Sequence, residues 1–242
     1  MNATVVRLTW RALLGRRRAL LLLALPVILL LLAVVVRLAH GQDTEAAAGL
    51  LGAFALGFLV PLICLIAGTG AIGPEIDDGS IVYLLAKPLS RPSIVHSKLG
   101  VAIIVATLFG AVPTFVAGLI TAGGRSNLAL AYGLGALVAG IAYSALFLLL
   151  AVLTRNAVVV GLIYALLWES VVGGYVPGAQ ALSIQQWSLA LTEKVIGSAS
   201  LDLNIDAAVG LPTGLVLLVV VSVGATVYAG QRLRSLRFTH EQ

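Results

Sequence analysis

Long apolar runs, separated by short polar breaks, occupy most of this chain. Six such runs read as helices: about 19–38, 46–72, 99–121, 128–153, 157–172 and 207–230. At about 20 residues apiece they match the roughly 30 Å hydrocarbon core of a bilayer. A helix also bonds its own backbone polar groups, which lipid cannot do. The pattern predicts an all-α polytopic membrane protein with six transmembrane helices. Pro26, Pro61 and Pro113 fall inside predicted spans, where they are expected to bend the helices.

Composition sharpens the class. The 242 residues are 60% hydrophobic and 10% charged, against roughly 25% charged in a soluble domain. The first run is too long, and lacks the small-residue cleavage site, for a secretory leader, so it is expected to stay as a helix. Cys64, the single cysteine, lies inside an apolar run and has no internal partner for a disulfide.

The sequence pI is 9.7, yet the basic residues are placed for topology rather than for nucleic acid. With six spans, both termini share a side. That side carries Arg7, Arg11, Arg16, Arg17, Arg18, Lys87, Arg91, Lys98, Arg155, Arg232, Arg234 and Arg237. Only Arg37, Arg125 and Lys194 fall on the other. The positive-inside rule then puts both termini and the segment 73–98 in the cytoplasm, and the chain in the plasma membrane. Three regions follow: a basic segment 1–18, a six-helix domain 19–230 with an external loop 173–206, and a basic tail 231–242.

Two flanking segments carry helical spacing of their own. Val6, Trp10, Leu13 and Leu14 fit either an interfacial amphipathic helix or a basic leader that only fixes topology. Ile184, Trp187, Leu191 and Val195, between Ser183 and Gly197, predict a short helix in the external loop. It is expected to lie in the outer interface or dip into it; the alternative is a surface loop whose hydrophobic side packs on the bundle. Gly210 and Gly214 form a GxxxG spacing that lets helices approach closely.

Chemistry inside the spans is sparse. Spans two to six have no charge at their middles, which disfavours a proton- or sodium-coupled carrier. Glu169 lies near the outer end of the fifth span. It reads as a gate or substrate contact, or as a carboxylate that snorkels to the interface or bonds the folded-over external loop. The chain holds no Walker A sequence, no HExxH, no GxSxG and no Cys/His cluster, so catalytic, cofactor and metal residues are not assigned.

The segment 73–98 is the one long polar interruption. It contains Glu75-x-Asp77-x-Gly79-Ser80, then Leu84-Leu85, Pro88-x-Ser90-Arg91, and Lys98 at the next span. This pattern, between spans two and three, resembles the cytoplasmic loop of type-2 ABC exporter permeases, E-x-E-x-G-T…LL…P-x-S-R…K. The resemblance extends over essentially the whole chain, and Asp77 and Ser80 match it conservatively. It implies a permease subunit with no catalysis of its own. A second permease, identical or related, pairs with it. Two copies of a separate ABC ATPase bind ATP and Mg and dock beneath. It further implies that the loop carries a coupling helix and that helices 2 and 5 line the path.

The residues make physical sense of such a loop. Ser80 can cap a short helix to about Ala86, with Asp77 and Asp78 near its positive end. Leu84 and Leu85 give it an apolar face, and Pro88 stops it. Coupling to the ATPase is thus expected of Glu75, Asp77, Gly79, Ser80, Leu84, Leu85, Pro88, Arg91 and Lys98. The alternatives are a non-transporting membrane scaffold or assembly factor and, further off, an intramembrane lipid-modifying enzyme. The latter would need a clustered acid, base or nucleophile within the spans. Membrane lipid is an expected partner and nucleic acid is not; substrate identity is not legible.

Overall fold

Apolar runs without helix breakers become helices, and every described element of the computed structural model is helical. It describes residues 3–77, 91–123, 127–172, 176, 178–197, 203 and 205–235. In chain order these are α1 (Ala3–Leu13), α2 (Arg16–His40), α3 (44–77), α4 (91–122), α5 (Leu128–Leu153), α6 (157–172), α7 (Ile184–Ile196) and α8 (Leu211–Ser235). Five are long and apolar enough to cross a membrane: Arg18–His40, Thr44–Ile76, Ser93–Ala122, Leu128–Leu153 and Leu211–Leu233. The fifth run of the sequence forms a shorter apolar helix, Ala157–Glu169.

Three helices contain π-helical stretches: Leu50–Leu59 in α3, Thr107–Ala111 in α4 and Tyr164–Val172 in α6. The first two end just before Pro61 and Pro113. A proline cannot donate to the carbonyl four residues back, and its ring clashes with it. Widening the preceding turns to i→i+5 bonding relieves that conflict within a continuous helix.

α5 is the central mast and α3 packs along it. Their most apolar stretches are each 61% buried, whereas those of α2 and α8 are 22% buried and form the outside. Small residues permit this closeness. A Cβ on Gly118 of α4 would lie 2.6 Å from the Cα of Ala129 on α5, and one on Gly68 of α3 would lie 2.8 Å from Phe147 Cβ. Such backbone contact is how helices gain dispersion energy where lipid offers no hydrophobic drive. Hydroxyls in the spans mostly bond backward along their own helix, as Thr69 to Leu65 O (2.6 Å) and Thr114 to Gly110 O (2.8 Å) do.

α1 packs under α3 and α4 through buried Val5, Thr9 and Leu13. Its Arg7 and Arg11 face outward. The buried stripe is thus shifted from the Val6–Trp10–Leu13–Leu14 spacing, although Leu13 belongs to both. α7 is inserted between α5 and α8, with Ile184, Trp187, Ser188, Ala190 and Thr192 buried. Ser183 caps it by accepting from the Gln186 amide, and Gly197, at φ +75°, ends it. Of the GxxxG pair, Gly214 lies against α7, where a Cβ would sit 3.0 Å from Trp187 O; Gly210 has no such neighbour.

Candidate functional site

The polar interruption between spans two and three is partly helical. α3 continues through Glu75 to Asp77, and α4 begins at Arg91. Gly79, Ser80, Leu84, Leu85 and Pro88 lie outside the described residues, as does the short helix expected from Ser80 to Ala86. The first and last members of the motif are brought together. Lys98 Nζ donates to Glu75 Oε1 at 2.7 Å and to the Ala71 carbonyl at 2.6 Å. The Lys98 side chain is fully buried, while that of Glu75 is 27% exposed. A buried ammonium is costly unless its donors are used, and here a carboxylate and a carbonyl occupy two of three. The end of α3 and the start of α4 are therefore fastened to each other at the point where the intervening segment leaves the bundle.

Pro74 adds a second fastening. Lacking an N–H, it leaves the Gly70 carbonyl without its usual helical donor. Arg18, at the start of α2, donates to Gly70 O at 3.4 Å. Leu13 of α1 also packs against Gly70. One end of the bundle thus gathers the starts of α2 and α4 around the last turns of α3.

Glu169 organises the opposite end. It is fully buried and accepts four hydrogen bonds. Oε1 takes the Tyr164 hydroxyl at 2.7 Å and the Ile184 amide at 3.0 Å; Oε2 takes the Ser183 hydroxyl and the Gln185 amide, the latter at 3.4 Å. The carboxylate sits at the N-terminus of α7, where the helix dipole and unbonded amides favour negative charge. It binds the segment leading into α7 to α6. Tyr164 reaches it because residues five apart share a face in a π-helical stretch. Phe147 of α5 meets the Tyr164 ring edge-on at 6.1 Å between centroids and stacks on Tyr143 at 6.0 Å. α7 also touches the π-helical part of α3, where Gln185 Nε2 donates to Gly52 O at 3.3 Å.

Ser183 and Tyr164 were not singled out as site residues by sequence reasoning. A serine immediately before a periodic apolar run is a legible cap. The Tyr164–Glu169 pairing is not, because five-residue spacing is silent under α-helical periodicity.

A family model described as an ABC-2 family transporter protein matches residues 4–196, from α1 to the end of α7. The chain belongs to that family. It is a type-2 ABC permease, a multi-pass membrane protein of transport, and the matched region includes both fastened ends of the bundle. The comparison with curated proteins gave no match. As an ABC-2 permease it is the membrane component of an ABC transporter, and the motif ending in Lys98 falls between its second and third long helices.

Proposed function

We propose that this permease is the non-catalytic transmembrane subunit of an exporter, driven by two copies of a separate ATPase that holds ATP and Mg. It pairs with a second permease, a copy of itself or a related chain, in the plasma membrane. Six spans place both termini and the segment 73–98 in the cytoplasm, with α6 as the fifth span. The path runs between α3 and α6 of the paired subunits.

The observation that supports coupling is the Lys98–Glu75 clamp. A push on a loop reaches a bundle only if its anchors are stiff. Here both anchors are one unit, because Lys98 on α4 holds the last turns of α3, a wall of the proposed path. In this reading Glu75 and Lys98 act from within, as the base of the lever. Asp77, Gly79, Ser80, Leu84, Leu85, Pro88 and Arg91 build the lever that meets the ATPase. Glu169 holds α7 at the outer end of the path.

The test is co-purification of the ATPase with the permease, and ATP hydrolysis by the recovered complex. The permease alone is expected to hydrolyse no ATP. Leu84→Asp places a charge on the apolar face of the coupling segment and is expected to abolish association. Arg91→Ala should weaken it or uncouple hydrolysis from transport. Unchanged association and transport in both variants, with the bundle intact, would refute the coupling role.

A further inference from the structure

A groove of about 540 Å³ opens on the side of the bundle at its Lys98 end. Its walls are the start of α2, the 65–74 face of α3 and the turn joining α5 to α6. Two arginines line it, Arg18 and Arg155, and no acidic side chain is among its lining residues in the described part of the chain. Arg18 is half-buried and held by the Gly70 carbonyl that Pro74 frees, so its guanidinium is fixed at the groove with donors to spare. Arg155 is exposed in the three-residue turn Thr154-Arg155-Asn156 that joins α5 to α6. The first turn of α6 adds the positive end of a helix dipole.

The remaining walls are apolar and continuous with the outer surface of the bundle. Leu21 is 57% exposed, and Val158 and Val159 are each 58% exposed. Arg18 opens the first long apolar helix, and Arg155 follows the end of another. Positive charge at the level where spans end, with an apolar face running away from it along the spans, has the layout of a phospholipid. A free anion would leave the apolar half of the groove unused.

We propose that this groove binds an anionic phospholipid of the leaflet on the Arg18 side, its headgroup phosphate on Arg18 and Arg155 and an acyl chain along Leu21, Val158 and Val159. The site is independent of the ATPase and of whatever molecule is carried. The lipid would fill the gap between α2 and α6 that the described residues leave unpacked.

The test uses the full chain in detergent with phosphatidylglycerol or phosphatidylcholine added, and counts retained lipid by native mass spectrometry. Phosphatidylglycerol is expected to be retained over phosphatidylcholine, and millimolar inorganic phosphate should not displace it. Arg155→Gln should weaken retention roughly fivefold and the Arg18→Gln, Arg155→Gln pair roughly 25-fold, the effect expected of one juxtamembrane arginine and of two. Should the pair fail to fold, Gly73→Leu carries the same test. Gly73 lines the groove and a Cβ there meets no atom within 4 Å, so leucine narrows the site with both arginines in place and should reduce retention. Equal retention of the two lipids, retention unchanged in Arg155→Gln and Gly73→Leu, or displacement by inorganic phosphate would each overturn the proposal.

Discussion

Lys98 and Glu75 stand 23 residues apart in the chain and 2.7 Å apart in the fold, the ammonium wholly buried and the carboxylate partly open to solvent. The two partners are therefore unequal. Removing Glu75 strands a charge in the interior, whereas removing Lys98 leaves a carboxylate that can turn to water.

Glu75→Ala is accordingly expected to destabilise the permease by about 3 kcal/mol, within the range for breaking a buried pair. Lys98→Met should cost distinctly less, because the methionine refills much of the buried space without leaving a charge unpaired in the interior. Glu75→Gln, which keeps an acceptor for Nζ, should fall between wild type and Glu75→Ala. Thermal unfolding in one detergent orders the three; an inverted order for Glu75→Ala and Lys98→Met would refute the asymmetry.

Close helix approach gives a second expectation. Gly118→Ala pushes a methyl group to within 2.6 Å of the Ala129 Cα. Backbone cannot swing aside, so α4 and α5 must separate, at a cost of about 1–3 kcal/mol. Gly224→Ala on α8 meets nothing within 4 Å and should be neutral or slightly stabilising, since alanine is the better helix former. The melting temperatures of the two alanine variants provide the comparison.

The spans were legible because lipid imposes one rule along each of them, and α7 because Ile184, Trp187 and the Ser183 cap obey ordinary helical spacing. What stayed hidden depends on geometry that α-periodicity does not encode. The helix runs on past Ile72 to Asp77, so Glu75 is a helical residue facing α4 rather than a loop charge. Lys98, a cation at the edge of a span, gave no sequence sign that its head turns inward to Ala71 O. Pro74 read as a loop residue, yet its missing N–H is what gives Arg18 its acceptor. The π-helical stretches, and with them the Tyr164–Glu169 bond, have no periodic trace in the sequence. The segment between Asp77 and Arg91, which carries most of the motif, rests on the motif alone.

Topology is checked by labelling. In a Cys64→Ala background, Ser93→Cys and Ser198→Cys should react with an impermeant maleimide from opposite sides of the membrane. The proposed orientation puts Ser198→Cys outside, reactive in intact cells, and Ser93→Cys inside, reactive only after permeabilisation. The reverse pattern would invert the assignment while leaving the helix count untouched.

The anchoring of α7 is the last expectation and the most specific to this fold. Glu169 accepts from two α7 amides, Ile184 and Gln185, and from the Ser183 hydroxyl that itself caps Gln186. Hydrogen bonds to a charged group contribute about 1.5–3 kcal/mol each, and a helix cap about 1 kcal/mol. Glu169→Gln cannot serve all four donors, because its amide group turns N–H toward the Gln185 N–H. Local opening of α7 should become easier by about 2 kcal/mol, and the amides at 184–186 should exchange roughly 30-fold faster with deuterium. Ser183→Ala removes one of these donors and the cap together, so it should loosen α7 at least as much, although the carboxylate stays on both backbone amides. Tyr164→Phe removes a donor from α6 only and should leave α7 exchange nearly as in wild type, although the last turns of α6 loosen. This graded series separates an anchor at Glu169 from general loss of packing, which would raise exchange in α5 and α8 as well. If Glu169→Gln leaves the 184–186 amides as protected as before, α7 is held by its apolar face against α5 and α8, and the carboxylate has no part in fixing this end of the bundle.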